Sequence, residues 1–165
     1  MRHPRLQAQS RLDTPLGPVT LAASATGLAG LWFDAQRHHP GPLELPLDPA
    51  HPLLAQAAAE LAAYFRGEAT GFSVPLDAEG TPFQRAVWDQ LRAIAAGTTT
   101  SYGEIARRVG RPSAVRAVGA AVGRNPVSIV VPCHRVIGGG GALTGYAGGL
   151  DRKQALLALE HGAAR

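Results

Sequence analysis

Apolar residues in the first part of the chain come in short stretches cut by glycine and proline. Val19-Thr20-Leu21 and Leu28-Ala29-Gly30-Leu31-Trp32-Phe33 have the length and side-chain types of paired strands, which predicts a β-hairpin within residues 11–33. Residues 34–52 carry five prolines together with His38, His39 and Gly41, a composition that sustains neither a helix nor a central strand and predicts a loop. From Leu53 to Phe65 the period becomes helical, with Leu53, Leu54, Ala57, Leu61 and Phe65 near 3.6-residue spacing and Gly67 as the stop. Phe72 to Leu76 reads as an edge strand, because Pro75 has no amide hydrogen for a central ladder. Polar residues 77–80 then mark a boundary, giving one domain over 1–76 and a second over 77–165.

The second part is patterned for helices. Thr81 before Pro82 is a cap followed by proline at the first helical position, and Phe83, Val87, Leu91 and Ile94 line one face up to Gly97. Ser101-Tyr102-Gly103-Glu104 matches a capping box, Gly110 closes the short helix it opens, and Ser113 can cap a further helix ending near Gly123. Two short helices with a tight glycine-containing turn predict a helix-turn-helix, a frame that either inserts a helix into a nucleic-acid groove or simply packs. Spaced at 100°, Val115, Val118 and Val122 of the second helix share one face, while Arg116, Ala117, Ala120 and Gly123 share the other. Small residues with a single arginine suit close approach to a sugar-phosphate backbone. The expected architecture is therefore α/β in the α+β sense. A small N-terminal α/β domain carries the hairpin or sheet, and a mostly helical C-terminal domain carries the helix-turn-helix.

The net charge of +4 is compatible with a polyanionic partner without demanding one. No run of about 18 apolar residues occurs, and no apolar stretch follows Met1-Arg2-His3-Pro4, so neither a membrane span nor an export signal is expected. The single cysteine, Cys133, excludes a disulfide framework and a multi-thiolate zinc site, and points to a reducing, cytoplasmic setting.

Cys133 follows the apolar run Val127 to Val131, which predicts a buried strand ending at the thiol. Burial alone would make that thiol inert, but His134 can serve as base or charge partner and Arg135 adds positive potential. In a continuing strand Cys133 and His134 point to opposite sides, so a direct contact needs a turn, for which Pro132 is suited. A reactive and a structural cysteine both remain open on these residues alone. Downstream, Gly138 to Gly141 and Gly145-Tyr146-Ala147-Gly148-Gly149 frame a loop whose backbone can approach a ligand closely. Asp151 caps a terminal helix with Leu156 and Leu159 toward the core. Glu160 sits at the edge of that face in the last turn, where the helix dipole disfavours an acid and a partner such as His134 would compensate.

Thr81-Pro82-Phe83-Gln84, Ser101-Tyr102, Ala117-Val118-Gly119, Asn125-Pro126, Pro132-Cys133-His134-Arg135 and Gly145-Tyr146-Ala147-Gly148-Gly149-Leu150 stand in one order. In these motifs the run from Thr81 to Gly162 resembles the C-terminal domain of the O6-alkylguanine-DNA alkyltransferases. The resemblance implies stoichiometric, irreversible transfer of an alkyl group from O6-alkylguanine in double-stranded DNA to Cys133. It further implies that His134 activates the thiol through a water, that Glu160 orients His134, and that Asn125 holds the turn carrying the active site. Tyr102 would rotate the target nucleotide or protonate the guanine, and Arg116 would fill the stack left by the flipped base. Further DNA contacts are expected from Ser113, Ala117, Gly119, Ala120, Arg135, Tyr146 and Ala147. No cofactor and no metal are implied, and the chain is expected to act as a monomer, with cooperative assembly on DNA left open. Ala147 departs from members that carry serine there, leaving only its backbone N–H for the base, and residues 1–76 resemble the family's N-terminal domain loosely.

Two other readings compete. A Cys–His hydrolase would need an oxyanion hole and would turn over repeatedly, leaving the helix-turn-helix without a purpose. A helix-turn-helix lesion-binding protein without transfer would have no use for the acceptor thiol.

Overall fold

A computed structural model describes residues 5–163. Its N-terminal part is an antiparallel sheet in the order β1 (Leu6–Thr14), β2 (Gly17–Ser24), β3 (Leu28–Phe33). The predicted hairpin is β2–β3, pairing Val19 with Phe33 and Leu21 with Leu31. β1 was not foreseen, because Arg11 and Asp13 alternate with only Leu12 and the small Ala8 and Ser10, a weak period-2 signal suited to an edge. That edge is covered by the proline-rich segment. Gln9 exchanges backbone bonds with Pro46 O and Asp48 N at 2.9 Å each, and its side-chain amide donates to Leu43 O and Leu45 O.

Helix α1 (Pro52–Phe65) buries Leu54, Ala57, Leu61 and Tyr64 in the same core as β2 and β3. The expected edge strand over 72–76 is absent. A single bridge joins Leu28 to Leu76, and Ser73 and Val74 give their amides to the Glu60 carboxylate rather than to a neighbouring strand. With no donor on Pro75, the segment cannot extend the ladder.

Helix α2 (Pro82–Arg92) begins with a complete capping box between Thr81 and Gln84. The next expected box forms by half. Ser101 accepts from Glu104 N at the start of α3 (Tyr102–Arg108), but the Glu104 carboxylate turns to Arg107 and Arg108. Ser101 also belongs to a short strand, β4 (Thr100–Ser101), parallel to β5 (Val136–Ile137). Helix α4 (Val115–Gly123) starts from Ala114 with no side-chain cap, so Ser113 is not its cap. Its buried face is Val118, Ala121 and Val122, whereas Val115, expected inside, is 41% exposed. Helix α5 (Leu150–Ala163) starts one residue before Asp151, which lies in its first turn.

The two halves share one core. Leu31 N donates to Pro126 O at 2.8 Å and Leu31 O accepts from Ser128 N at 3.1 Å, so β3 grips the segment leading to Cys133. Trp88 on α2 donates its buried Nε1–H to Ala121 O at 2.8 Å, fixing α4 against α2. Trp88→Phe deletes that donor and part of the ring, and is expected to cost about 1–3 kcal/mol in urea denaturation. A loss below about 0.3 kcal/mol would show that this contact does not hold α4.

Candidate active site

The run Val127 to Val131 is not a strand but a fully buried turn, and the reason is Asn125. Asn125 accepts Val127 N at 2.9 Å and donates to Val131 O at 2.8 Å, spanning the turn from one end to the other. Val131 N closes the turn on Val127 O, and Ile129 sits at φ 71, an unfavourable conformation for a β-branched residue that the surrounding bonds impose. After Pro132 the chain makes one 3-10 turn over Cys133–Arg135. Successive side chains on such a turn diverge by about 120° rather than alternating between opposite faces. Cys133 thereby lines a cavity, while His134 and Arg135 reach back to the carboxylate of Glu160 on α5.

Glu160, 1% exposed, is the centre of this cluster. His134 Nε2–H donates to it at 2.9 Å from both oxygens, Arg135 Nη2 at 2.6 Å, and the Tyr64 hydroxyl at 3.0 Å. Arg135 also donates Nη1 to Ile94 O at 2.6 Å. Arg135 was expected at the DNA interface; it is instead buried with its guanidinium committed to Glu160 and Ile94, and has no face for a phosphate. Because His134 donates through Nε2, its Nδ1 is the proton-accepting nitrogen, and that atom is buried without a protein partner.

The electrostatics follow from burial. Desolvation pushes the Cys133 thiol up to about 11, against the opposing pull of the Asn125 side chain and the Lys153 ammonium. Burial likewise lowers His134 below its ordinary value despite its carboxylate partner, so the ring is neutral at neutral pH. Burial would raise Glu160, but the hydrogen bonds from Arg135 and His134 outweigh it and hold the carboxyl down at about 2. Lys153, 0% exposed, donates to Val136 O at 2.6 Å and Thr144 O at 2.7 Å, tying β5 to the glycine-rich loop. Sequence reasoning missed Lys153 and Tyr64. The signal for the first was present, since Lys153, Leu156 and Glu160 follow i, i+3, i+7 spacing on α5, and all three are buried.

The cavity above Cys133 measures about 510 Å³ and lies between α3, α4 and the glycine-rich loop. Tyr102, Gly119, Ala120, Tyr146 and Ala147 line it, as does the misassigned Val115. Arg116, Ala117 and Ser113 are exposed on or beside α4, outside the cavity lining. Arg37, His38 and Arg124 border it without having been singled out, the first two because the loop after β3 folds back so that Arg37 N reaches Ala147 O at 2.9 Å. Tyr146 stands edge-on to His134, with ring centroids 6.5 Å apart. Gly148 permits this arrangement, since a Cβ there would lie 2.8 Å from the Tyr146 ring.

Among the described residues no helix is long and apolar enough to cross a membrane, and no group of three or more His, Cys, Asp or Glu could hold a metal ion.

Comparison with known proteins gives the same reading for both halves. Residues 82–162 match the family model of the 6-O-methylguanine DNA methyltransferase DNA binding domain, and residues 9–78 that of the 6-O-methylguanine DNA methyltransferase ribonuclease-like domain. A methylated-DNA–protein-cysteine methyltransferase from Mycobacterium tuberculosis is 50% identical over 90% of this chain and 89% of its own. One from Methanosarcina acetivorans is 47% identical over 90% of this chain and 94% of its own. The crystal structure of Mycobacterium tuberculosis OGT in complex with DNA superposes with a TM-score of 0.88 at 47% identity, covering 94% of each chain. The chain belongs to the O6-methylguanine-DNA methyltransferase family.

Proposed function

We propose that the chain repairs DNA by transferring the alkyl group of O6-alkylguanine to Cys133 in a single, irreversible step. The observation that carries this reading is a buried thiol lining a cavity between the helix-turn-helix and the glycine-rich loop, with a His134–Glu160 pair behind it. In this reading α4 enters the minor groove of duplex DNA, its small face of Ala117, Gly119 and Ala120 allowing close approach. Arg116 replaces the flipped nucleotide in the stack, and the alkylated guanine occupies the cavity beside Tyr102, Tyr146 and the Ala147 backbone. Arg37 and Arg124 add positive charge at its rim. The two family models meet near residue 80, which supports dividing the chain into domains at 76/77.

Chemically, the sulfur attacks the alkyl carbon as the carbon–oxygen bond to guanine breaks, and the electron pair of that bond stays with the base. The thiol proton passes through a water to His134 Nδ1, and Glu160 stabilises the imidazolium that results. Guanine leaves more readily if its N3 is protonated as charge develops, a role open to the Tyr102 hydroxyl. The thioether is stable and no group restores the thiol, so each molecule acts once. All these residues come from one chain, which supports action as a monomer, and a free thiol of this kind is kept reduced in the cytoplasm.

Incubation with duplex DNA carrying one O6-methylguanine is expected to add one methyl group to the Cys133 peptide, read by intact and peptide mass. No methyl should be added to Cys133→Ala. An unmodified protein and an unchanged lesion would refute the transfer.

The pH dependence separates assisted from spontaneous ionisation. With the thiol at about 11 and His134 lowered, proton transfer between them leaves net protonation unchanged. The single-turnover rate should therefore be flat between about pH 7 and about pH 9, and fall on acidification as His134 takes a proton. In His134→Gln, where only free thiolate reacts, the rate should climb about tenfold per pH unit over the same range. Parallel profiles for the two proteins would remove His134 from the reaction.

A further inference from the structure

The hydroxyl of Tyr64 lies in the half of the molecule that holds none of the reacting groups, and yet it ends on the active-site carboxylate. It donates to Glu160 Oε2 at 3.0 Å, across 96 residues of sequence. The side chain is 2% exposed and is fixed by ring contacts with Phe65, edge-on at 5.3 Å between centroids, and Phe72 at 5.5 Å. Packing alone is served by a phenyl ring at this position; the hydroxyl adds a polar group whose desolvation is offset by the bond to Glu160.

We infer that Tyr64 is a positioning residue for the alkyl transfer, one that sets the orientation and charge of the Glu160 carboxylate and through it the proton affinity of His134. This rests on the His134–Glu160 relay proposed above. The carboxylate is shared by three donors from two parts of the chain: Tyr64 on α1, and His134 and Arg135 on the turn after Pro132. Lys153 on α5 also acts on His134, its positive charge opposing protonation of the ring. Burial, followed by the charge on Glu160, keeps the Tyr64 phenol protonated at all working pH values, so it acts only as a donor. A donor on Glu160 disperses the charge that would otherwise stabilise the imidazolium. Removing it leaves a more basic partner, raises the proton affinity of His134, and shrinks the fraction of neutral ring able to take the thiol proton at mildly acidic pH.

The experiment measures single-turnover transfer from O6-methylguanine duplex DNA between about pH 5 and about pH 9, with DNA affinity and Tm recorded alongside. The proteins are the unaltered chain, Tyr64→Phe, Glu160→Gln, and the chain with 3-fluorotyrosine at position 64, which keeps the shape and strengthens the donor. Tyr64→Phe should move the acid midpoint up by about half a pH unit and slow transfer by about two- to threefold at pH values below that midpoint, with DNA affinity within about twofold. The fluorinated residue should move the midpoint down. If both profiles superimpose on that of the unaltered chain while Glu160→Gln is slow, Tyr64 is only structural, whatever its effect on Tm, and the relay stands. If Glu160→Gln transfers at the unaltered rate, the relay itself fails and this inference with it.

Discussion

A carboxylate taken out of water is the constraint around which the active half of the molecule is arranged. Desolvating such a charge costs several kcal/mol, and it is tolerated only where donors saturate it. Glu160 meets that condition with His134, Arg135 and Tyr64, which brings α5, the turn after Pro132 and α1 to one point. Two of these contacts also serve a second purpose. Arg135 reaches on to the end of α2 through Ile94 O, and His134 is held as the tautomer whose Nδ1 accepts. A buried ion pair of this kind contributes little net stability against an apolar equivalent, so its value is in geometry.

The thiol is governed by the same burial with the opposite result. Cys133 is 4% exposed and its proton is held tightly, up to about 11, so in isolation it is a poor nucleophile. That suits a protein able to react only once, since the acceptor is spared from chance electrophiles and oxidants until a base removes its proton. The turn clasped by Asn125 keeps the sulfur at the cavity wall, and Lys153 pins the glycine-rich loop across from α4.

Much of this was legible in the residues, and the parts that were not share a cause. Helices with capping chemistry were readable because their signals are local: Thr81 before Pro82 gives α2 its start, and Ser101 gives α3 its cap. The segment Val127 to Val131 misled because a β-branched run predicts a strand, whereas side-chain bonds from Asn125 bend it into a buried turn. Ser113 failed as a cap and Val115 as a core residue because tertiary contact, not helical periodicity, decides which way the ends of a nine-residue helix face. Arg135 looked like a DNA contact because the Cys-His-Arg run offers no sign that its third residue turns inward. Tyr64, 96 residues from the carboxylate it touches, could be found only in three dimensions.

The central claim is that burial keeps His134 neutral while Glu160 fixes its proton on Nε2, leaving Nδ1 free to take the proton of Cys133. Nitrogen-15 NMR of the imidazole in the free protein at neutral pH tests it directly. The account predicts one protonated nitrogen, Nε2, correlated with a strongly hydrogen-bonded proton, and an unprotonated Nδ1. Two protonated nitrogens, or a proton on Nδ1 instead, would contradict it, because His134 could then accept nothing from the thiol.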